Sequence, residues 1–187
     1  MAERHSEHSR ASDDWYVEPA WCVEVLLDRV EFIKGFHDPC CGLGTIPLAG
    51  RARGLQTSGN DLRTRAPGWG CQDFLTDFTR HADIVTNPPF AIAVEILNHA
   101  LAITIPGGRV AALVQAKFLF SQKRQPLFHR SEMERVIILS KRPSMPPGEM
   151  LLKHGEAVRR NGSLDFLWAI WRVGRPPGPP TIEWALA

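Results

Sequence analysis

The apolar residues of this chain fall into short continuous runs and into longer stretches with helical spacing, and the two kinds alternate. Continuous runs such as 110–114 and 135–139 are typical of strands buried in a sheet. Cys22, Leu26 and Val30 recur at intervals of four residues, which predicts one face of a helix. The expected strands are 36–38, 55–58, 83–86, 110–114, 135–139 and 164–173. One expected helix starts at Pro19. The other expected helices are 46–53, 74–81, 91–103 and 121–130.

The alternation of strands with helices predicts the fold class. Such an order favours an α/β domain with a mostly parallel sheet and helices on both faces. A chain of 187 residues suits one such domain. We place this domain at 15–175, between a disordered tail at 1–14 and a proline-rich tail at 176–187, with a long irregular segment at 142–162.

The composition narrows the class of protein. Hydrophobic residues make up 44% and charged residues 22% of the chain, which is ordinary for a globular protein. The sequence has no apolar run long enough for a membrane span and no apolar stretch of a signal peptide at its start, so a cytoplasmic location is expected. The four cysteines form no CxxC pair and the histidines are scattered, so we expect buried free thiols and no metal site.

The charge is unevenly distributed along the chain. The net charge is +2, but residues 117–175 hold 12 Lys and Arg against 5 Asp and Glu, a local balance of +7. A basic second half suits a polyanionic partner, although a solvated basic face explains the same charge equally well.

A glycine-rich turn follows the first expected strand. It reads Asp38-Pro-Cys-Cys-Gly-Leu-Gly44, and glycines at this position let the backbone approach a ligand closely. A dinucleotide fingerprint would have Gly or Ala where Pro47 stands, which disfavours a nicotinamide cofactor. An acid before the turn instead suits a ligand with a cationic amino group.

Two further acids stand where strands or turns end. Asp61, 17 residues after Gly44, is placed to accept bonds from the two hydroxyls of a ribose. Asp73 could accept a bond from an adenine amine while Phe74 covers the ring. Either acid alone is equally explained as an ordinary turn residue.

The most specific motif is Asn87-Pro88-Pro89-Phe90, directly after an expected strand. The two prolines remove two backbone donors and fix two φ angles. They project the Asn87 side chain and the Pro88 carbonyl, which are both acceptors, beside the flat ring of Phe90. Two acceptors and a ring form a receptor for a planar amino group.

The order of these motifs resembles the amino-methyltransferases, which methylate adenine N6 or cytosine N4. The closest likeness is to small phage- and prophage-type DNA adenine methyltransferases, and it spans about 14–174. Those proteins share an Asp-x-Tyr-x-x-Pro-like start, here 14–19, a Phe-x-x-Ser-x-x-Arg segment, here 118–124, and an Arg-Pro, here 142–143. The resemblance implies a single Rossmann-like class I methyltransferase domain with a mostly parallel, seven-stranded sheet.

The resemblance also implies a role for each matching residue. The cofactor would be S-adenosyl-L-methionine, bound by Trp15, Tyr16, Pro19, Asp38, Cys40, Gly42, Gly44, Asp61, Asp73 and Phe74. The catalytic residues would be Asn87, Pro88, Pro89 and Phe90, with Phe90 stacked on the target base. The favoured substrate is adenine in DNA.

The chain departs from the family in having no room for a separate target-recognition domain. Base choice would therefore come from loops, chiefly 142–161, or from a partner. The candidate phosphate contacts are Lys117, Lys123, Arg124, Lys141, Arg142, Lys153, Arg159 and Arg160.

Three alternatives stay open at this stage. The same chemistry could act on RNA adenine, on DNA cytosine N4 or on a protein glutamine amide. The chain could be a catalytically silent cofactor-binding partner of another methyltransferase, although the intact motif at 87–90 argues against this. An oxidoreductase is a weaker option because of Pro47 and the proline pair.

Overall fold

The structure, a computed structural model, describes residues 14–32, 34–128 and 132–186. Apart from Asp14, the predicted N-terminal tail lies outside the described residues. The strands are β1 (Gly35–Asp38), β2 (Gln56–Asp61), β3 (Gly70–Cys71), β4 (Ile84–Thr86), β5 (Arg109–Gln115), β6 (Met133–Leu139), β7 (Phe166–Arg172) and β8 (Thr181–Ala185). The α-helices are α1 (Ala20–Leu27), α2 (Thr45–Ala52), α3 (Ala93–Ile103), α4 (Gln125–Phe128) and α5 (Gly148–His154). Among these described helices, none is long and apolar enough to cross a lipid bilayer.

All eight described strands join one sheet, in the order β3-β2-β1-β4-β5-β7-β6-β8. Only the pairings of β7 with β5 and with β6 are antiparallel. The predicted α/β class with a mostly parallel sheet is therefore confirmed, but the predicted number of seven strands is wrong. The segment expected as a proline-rich tail at 176–187 contains β8, which pairs in parallel with β6.

Helices cover both faces of the sheet, as the pattern predicts. Successive residues of β7 alternate between the two faces. Trp168 and Ile170 pack with residues of α1 and α2, whereas Ala169 and Trp171 pack with residues of α3. The indole nitrogen of Trp168 donates a hydrogen bond to the Cys22 carbonyl at 2.8 Å, which links the sheet to α1.

The helix predicted at 74–81 is wrong, because only the 3-10 turn Phe74–Thr76 forms there. Local side-chain hydrogen bonds explain this difference. Asp73 accepts a bond from the Leu75 backbone and caps a single 3-10 turn, Phe74–Thr76. Asp77 then has extended backbone and accepts from the Thr79 backbone. Aspartates that bond to nearby backbone N–H groups compete with helical bonds, so the helix stops after one turn.

Two further expectations need correction. The segment at 142–162, expected to be irregular, contains α5 and a 3-10 turn at Gly155–Val158. Its α5 begins after Pro147, which suits a helix start because proline lacks the N–H that would be unpaired there. Cysteine burial is also only partly as expected, because Cys71 on the short edge strand β3 is exposed.

The strand directions determine where a site can form. Strands β1, β2, β4 and β5 are mutually parallel, and β6 has the same direction because it is linked to β5 through the antiparallel β7. Their carboxyl ends therefore meet at one edge of the sheet, where ligands of open α/β sheets bind. Both motifs singled out in the sequence follow the carboxyl end of a strand, β1 or β4.

A matched pair of tryptophans tests this packing. Trp168 is fully buried and Trp184, on the edge strand β8, is 69% exposed. Replacing Trp168 by alanine should lower the free energy of unfolding by about 3–5 kcal/mol, because it leaves a cavity and removes the bond to α1. Replacing Trp184 should change it by less than about 1 kcal/mol. Urea unfolding of both variants measures the difference, and equal losses would contradict the described core.

Candidate active site

An open cleft lies at the carboxyl edge of the sheet, between the N-terminal segment and the ends of β1, β2 and β4. It contains most of the predicted site residues, namely Trp15, Tyr16, Cys40, Gly42, Asp61, Asp73, Phe74 and the four residues 87–90. The other three predicted cofactor residues do not line it. Asp38 ends β1 and is 1% exposed, Gly44 precedes α2, and Pro19 precedes α1.

The glycine turn has the backbone conformation that the sequence suggests. Gly42 and Gly44 have φ values of +52° and +87°, in the left-handed region that glycine adopts readily. A Cβ atom on Gly42 would lie 2.8 Å from the indole nitrogen of Trp15. The turn is therefore restricted to glycine both by its conformation and by the close approach of Trp15.

Two buried carboxyl groups lie at or next to the cleft: Glu18 lines it, and Asp38 accepts from the backbone of Cys40, which also lines it. Burial raises the pKa of Asp38 well above its usual value, and repulsion from Glu18 raises it further, while the bond from the Cys40 backbone opposes the shift. Burial also raises the pKa of Glu18, against the opposing effects of Asn87 and Arg159. The Thr86 side chain lies close enough to lower the pKa of Asp38, but Oδ2 of Asp38 makes no hydrogen bond of normal geometry to the described residues. A cationic ligand would relieve both the repulsion and the missing bond.

Asp61 already has several partners at the end of β2. Its Oδ2 accepts from the Gly42 backbone at 2.9 Å, and its Oδ1 accepts from the Arg63 backbone and from Nε of Arg65 at 3.0 Å. The Arg65 guanidinium also lies 4.0 Å from the ring centroid of Trp15. Arg65 thus holds two predicted cofactor residues together across the cleft.

Asp73 and Phe74 form the far wall of the cleft. Phe74 is buried and packs edge-to-face against His99 of α3, with ring centroids 5.0 Å apart. Asp73 caps the turn that follows it and is exposed on the cleft side of β3. Both residues line the cleft, and their predicted role in binding adenine stays a prediction.

The Asn87 side chain is fixed by two hydrogen bonds. Its Nδ2 donates to the Tyr16 carbonyl at 3.1 Å and to Oε2 of Glu18 at 2.9 Å. Its Oδ1 is buried and finds no hydrogen-bond partner among the described residues. Because a buried acceptor without a partner is costly, this oxygen is suited to a donor supplied by a ligand.

Aromatic rings surround the asparagine. The rings of Tyr16 and Phe90 are stacked, with centroids 5.6 Å apart and planes 18° apart. The ring centroids of Phe90 and Phe166, a residue of β7, are 6.1 Å apart. Tyr16 is predicted to line the cofactor pocket. In the structure its ring lies beside Phe90, at the end of the cleft that holds residues 87–90, the predicted amine receptor.

Two residues of the site were missed by the sequence reasoning. Glu18 occupies an unspecified position of the Asp-x-Tyr-x-x-Pro-like segment 14–19, and the resemblance implies no role for it. Its only signal in the sequence is an acid next to a motif residue, and its contact with Asn87 spans 69 positions. Arg65 lies in a loop rich in Pro and Gly, where nothing in the pattern points to Asp61.

The segment at 142–162 holds the N-terminal side of the cleft in place. Val17 donates from its backbone to the Pro146 carbonyl, and Gly148 donates to the Trp15 carbonyl. The Arg159 guanidinium donates to the carbonyls of Val17, Glu18 and Ser144. This segment therefore supports the site itself, in addition to any role in target recognition.

The predicted phosphate contacts differ in how accessible their charges are. Lys117, Lys123 and Lys153 are exposed, as is Lys141, whose ammonium lies 5.4 Å from the Trp21 ring. Arg142 is exposed but pairs with Asp165, and the backbone of Arg160 donates to Ser144. Arg124 donates to the carbonyls of Phe118 and Lys117, and Arg159 is engaged as described above. The exposed lysines are therefore better placed than these last two arginines to meet a polyanion.

The described residues hold no group of three or more His, Cys, Asp or Glu side chains that could hold a metal ion. The side chains that line the cleft include acids, the Asn87 amide and aromatic rings.

Known structures with a similar fold include methyltransferases. The chain is similar to a proposed class I S-adenosylmethionine-dependent methyltransferase of Listeria monocytogenes, with a TM-score of 0.59 and 12% identity over 88% of this chain and 62% of that one. It is also similar to the M protein of the type I restriction enzyme EcoKI, with a TM-score of 0.59 and 14% identity over 94% of this chain and 49% of that one.

A third similar structure is the 16S rRNA N2 G1207 methyltransferase of Thermus thermophilus in complex with AdoMet and guanosine. Its TM-score is 0.50, with 19% identity over 83% of this chain and 44% of that one. No family model matches the chain, and no curated protein matches it in sequence. The chain thus has the Rossmann-like methyltransferase fold and spans about half to two thirds of the length of these three proteins.

The raised pKa of Asp38 makes a prediction about stability. Below the ordinary pKa of an unfolded aspartate, the carboxyl is protonated in both states and burial costs little. As the pH rises from there to the raised folded pKa, the wild type loses stability, because the unfolded state ionises first. Asp38→Asn should therefore stabilise the ligand-free protein increasingly over that interval.

Urea unfolding of the wild type and Asp38→Asn at a series of pH values measures this gain. Asparagine keeps the acceptor for the Cys40 backbone, so lost bonding does not mask the effect. A difference between the two proteins that stays constant with pH would contradict the assignment of a raised pKa to Asp38.

Proposed function

We propose that this protein is an S-adenosyl-L-methionine-dependent methyltransferase that methylates an exocyclic amino group, with adenine N6 in DNA as the substrate. The observation that carries the proposal is the fixed Asn87 amide, whose Oδ1 is a buried acceptor with no partner in the described structure. Asn87 lines the cleft. The buried acid Glu18 also lines this cleft, and the buried acid Asp38 lies next to it, bonded to the backbone of the lining residue Cys40.

The acids support the choice of cofactor. S-adenosyl-L-methionine carries a sulfonium and an amino group, and Asp38 and Glu18 offer negative charge that repels itself when no cation is present. The proposed assignment is Asp38 with the glycine turn for the methionine part, Asp61 for the ribose, and Asp73 with Phe74 for the adenine. Trp15, Pro19, Cys40, Gly42 and Gly44 shape the same pocket. The fold likeness is consistent with this assignment.

The amide acceptor supports the type of reaction. The lone pair of an aryl amine is delocalised into its ring, so the nitrogen is a poor nucleophile. Hydrogen bonds from the amine to Oδ1 of Asn87 and to the Pro88 carbonyl favour tetrahedral nitrogen and stabilise the positive charge that develops on it. Pro89 keeps the loop rigid, and Phe90 offers the base a flat apolar surface.

S-adenosyl-L-methionine would supply an electrophilic methyl group on sulfur. The amine nitrogen would accept this methyl group as the sulfur–carbon bond breaks and sulfur keeps the electron pair, and the nitrogen would then lose a proton to water. The protein contributes chiefly by orienting the amine, and no strong base is required once the nitrogen has become cationic.

Exposed cations and an exposed aromatic ring at the carboxyl edge of the sheet favour a nucleic-acid substrate. The loop after β5 leaves this edge and holds Lys117 and Lys123, and between them Phe120 is 83% exposed. Lys141 and Arg142 follow β6 at the same edge. Exposed cations can contact phosphates, and an exposed ring can stack on an unpaired base. Such stacking suits an enzyme that must take its target base out of a duplex.

The other substrates remain alternatives under the same chemistry. Two of the similar structures are the M protein of a type I restriction enzyme and an rRNA methyltransferase, so DNA and RNA substrates both stay open for this chain. The basic edge favours nucleic acid over a protein glutamine amide. The preference for DNA adenine over RNA adenine or DNA cytosine N4, and the likeness to phage-type enzymes, rest on the sequence motifs alone. A cytoplasmic location likewise stays a prediction.

Asn87→Ala tests the proposal against a matched control. Loss of the Asn87 amide should lower the rate of methyl transfer by about a hundredfold or more, because a group that forms a hydrogen bond in the transition state is removed. Asn98→Ala, an exposed asparagine of α3, should keep full activity. The measurement is transfer of labelled methyl groups to unmethylated DNA, RNA and protein, followed by identification of the labelled product.

Label in N6-methyladenine of DNA that is lost only in Asn87→Ala supports the proposal in full. Label in RNA or in protein keeps the chemistry and replaces the substrate. Cofactor binding with no transfer to any of the three substrates would contradict the proposal and favour a silent binding partner.

The basic edge makes a separate prediction. Lys117→Ala with Lys123→Ala should weaken binding to DNA and flatten its dependence on salt, because fewer counterions are released. Phe120→Ala should weaken binding to single-stranded DNA more than to duplex. Lys34→Ala, an exposed lysine before β1 at the opposite edge, is the matched control. Fluorescence anisotropy at several salt concentrations measures these effects, and equal loss in the control would contradict the proposed surface.

A further inference from the structure

The buried contact between Glu18 and Asn87 has no counterpart among the predicted site residues. Glu18 is 6% exposed, and its Oε2 accepts from Nδ2 of Asn87 at 2.9 Å. The second hydrogen on Nδ2 is directed to the Tyr16 carbonyl at 3.1 Å. Both N–H groups of the amide are therefore satisfied by acceptors on one side.

This arrangement determines which atom the amide presents. If the amide were rotated by half a turn, Oδ1 would face the Glu18 carboxyl and the Tyr16 carbonyl, two acceptors that it could not bond. The observed bonds thus leave Oδ1 as the atom available for a donor. A carboxylate that accepts from Nδ2 also polarises the amide and makes Oδ1 a stronger acceptor.

Glu18 is itself held firmly by the surrounding chain. Nη2 of Arg159 donates to the Glu18 carbonyl at 3.2 Å, and Nη1 donates to the carbonyls of Val17 and Ser144 at 2.9 Å. Nε of Arg159 pairs with Glu156 at 2.6 Å. The segment at 142–162 thereby fixes the backbone from which Glu18 reaches Asn87.

We propose that Glu18 is a positioning residue, which orients the Asn87 amide and strengthens its Oδ1 as the acceptor for the target amine. The proposal rests on the proposed function of Asn87. It assigns the buried acid next to Pro19 to the amine-receptor end of the cleft, whereas Asp38 serves the cofactor end. Glu18 does not contact the reacting atoms, and once the cofactor is bound it affects the transfer step only through Asn87.

Two variants separate the parts of this role. Glu18→Gln keeps an oxygen that can accept from Asn87 but removes the negative charge, so turnover should fall by less than about tenfold. Glu18→Ala removes both, and turnover at saturating cofactor should fall by about tenfold to a hundredfold. Glu31→Ala, an exposed acid outside the site, should behave as the wild type.

A double-mutant cycle shows whether Glu18 acts through Asn87. If it does, Glu18→Ala should add no further loss in an Asn87→Ala background. Losses that multiply in the double variant would overturn the proposal, because Glu18 would then act independently, for instance on the cofactor. Thermal unfolding of each variant identifies any loss that comes from misfolding.

Nuclear magnetic resonance tests the orientation without any activity. The side-chain amide signal of Asn87, assigned by its loss in Asn87→Ala, should shift in Glu18→Gln and lose protection from exchange in Glu18→Ala. An Asn87 amide signal that is unchanged in Glu18→Ala would overturn the proposal. Because this readout needs no substrate, a failure to transfer methyl groups would count against the proposed function and not against this contact.

Discussion

The burial of acids and of one unpaired amide oxygen at the carboxyl edge of the sheet is the constraint on which the rest of the site depends. Asp38 and Glu18 repel each other in a poorly solvated place, and Oδ1 of Asn87 has no partner in the described structure. Each feature alone reduces stability. Their occurrence in one cleft is understandable if a cation and an amine donor complete them, which is what a sulfonium cofactor and an exocyclic amine would supply.

The fold brings these groups together from distant parts of the sequence. Parallel strands place Asp38 at the end of β1 and Asn87 just after β4 at one edge, and the helices on both faces keep those strands buried. Glu18 comes from the N-terminal segment, which reaches this edge because residues 142–162 hold it. Val17 bonds to Pro146, Gly148 bonds to Trp15, and Arg159 binds the carbonyls of Val17 and Glu18. The segment at 142–162, which the sequence predicts to be irregular, thus helps to hold the cleft together.

The sequence predicted the parts that local patterns encode. The continuous apolar runs gave β5 and β6, and the glycine turn and the Asn-Pro-Pro-Phe motif indicated the cleft, because glycine and proline restrict the backbone locally. It missed β8, whose Thr181–Ala185 follows a proline-rich stretch and pairs with β6 some 45 residues earlier in the chain. It also missed the contacts of Glu18 with Asn87 and of Arg65 with Asp61. Long-range pairings of this kind leave no periodic signal, and the helix predicted at 74–81 failed because Asp73 and Asp77 bond to their own backbone.

The most direct test of the central claim, that the buried acids are held for a cationic cofactor, is calorimetric titration with S-adenosyl-L-methionine between about pH 5 and pH 7, where an α-amino group stays charged. Binding of the cation should favour the ionised carboxyl groups, whose pKa values burial has raised, so affinity should increase with pH and protons should be released. Asp38→Asn should show a smaller pH dependence. Affinity that does not change with pH, with no proton release in buffers of different ionisation enthalpy, would contradict the account.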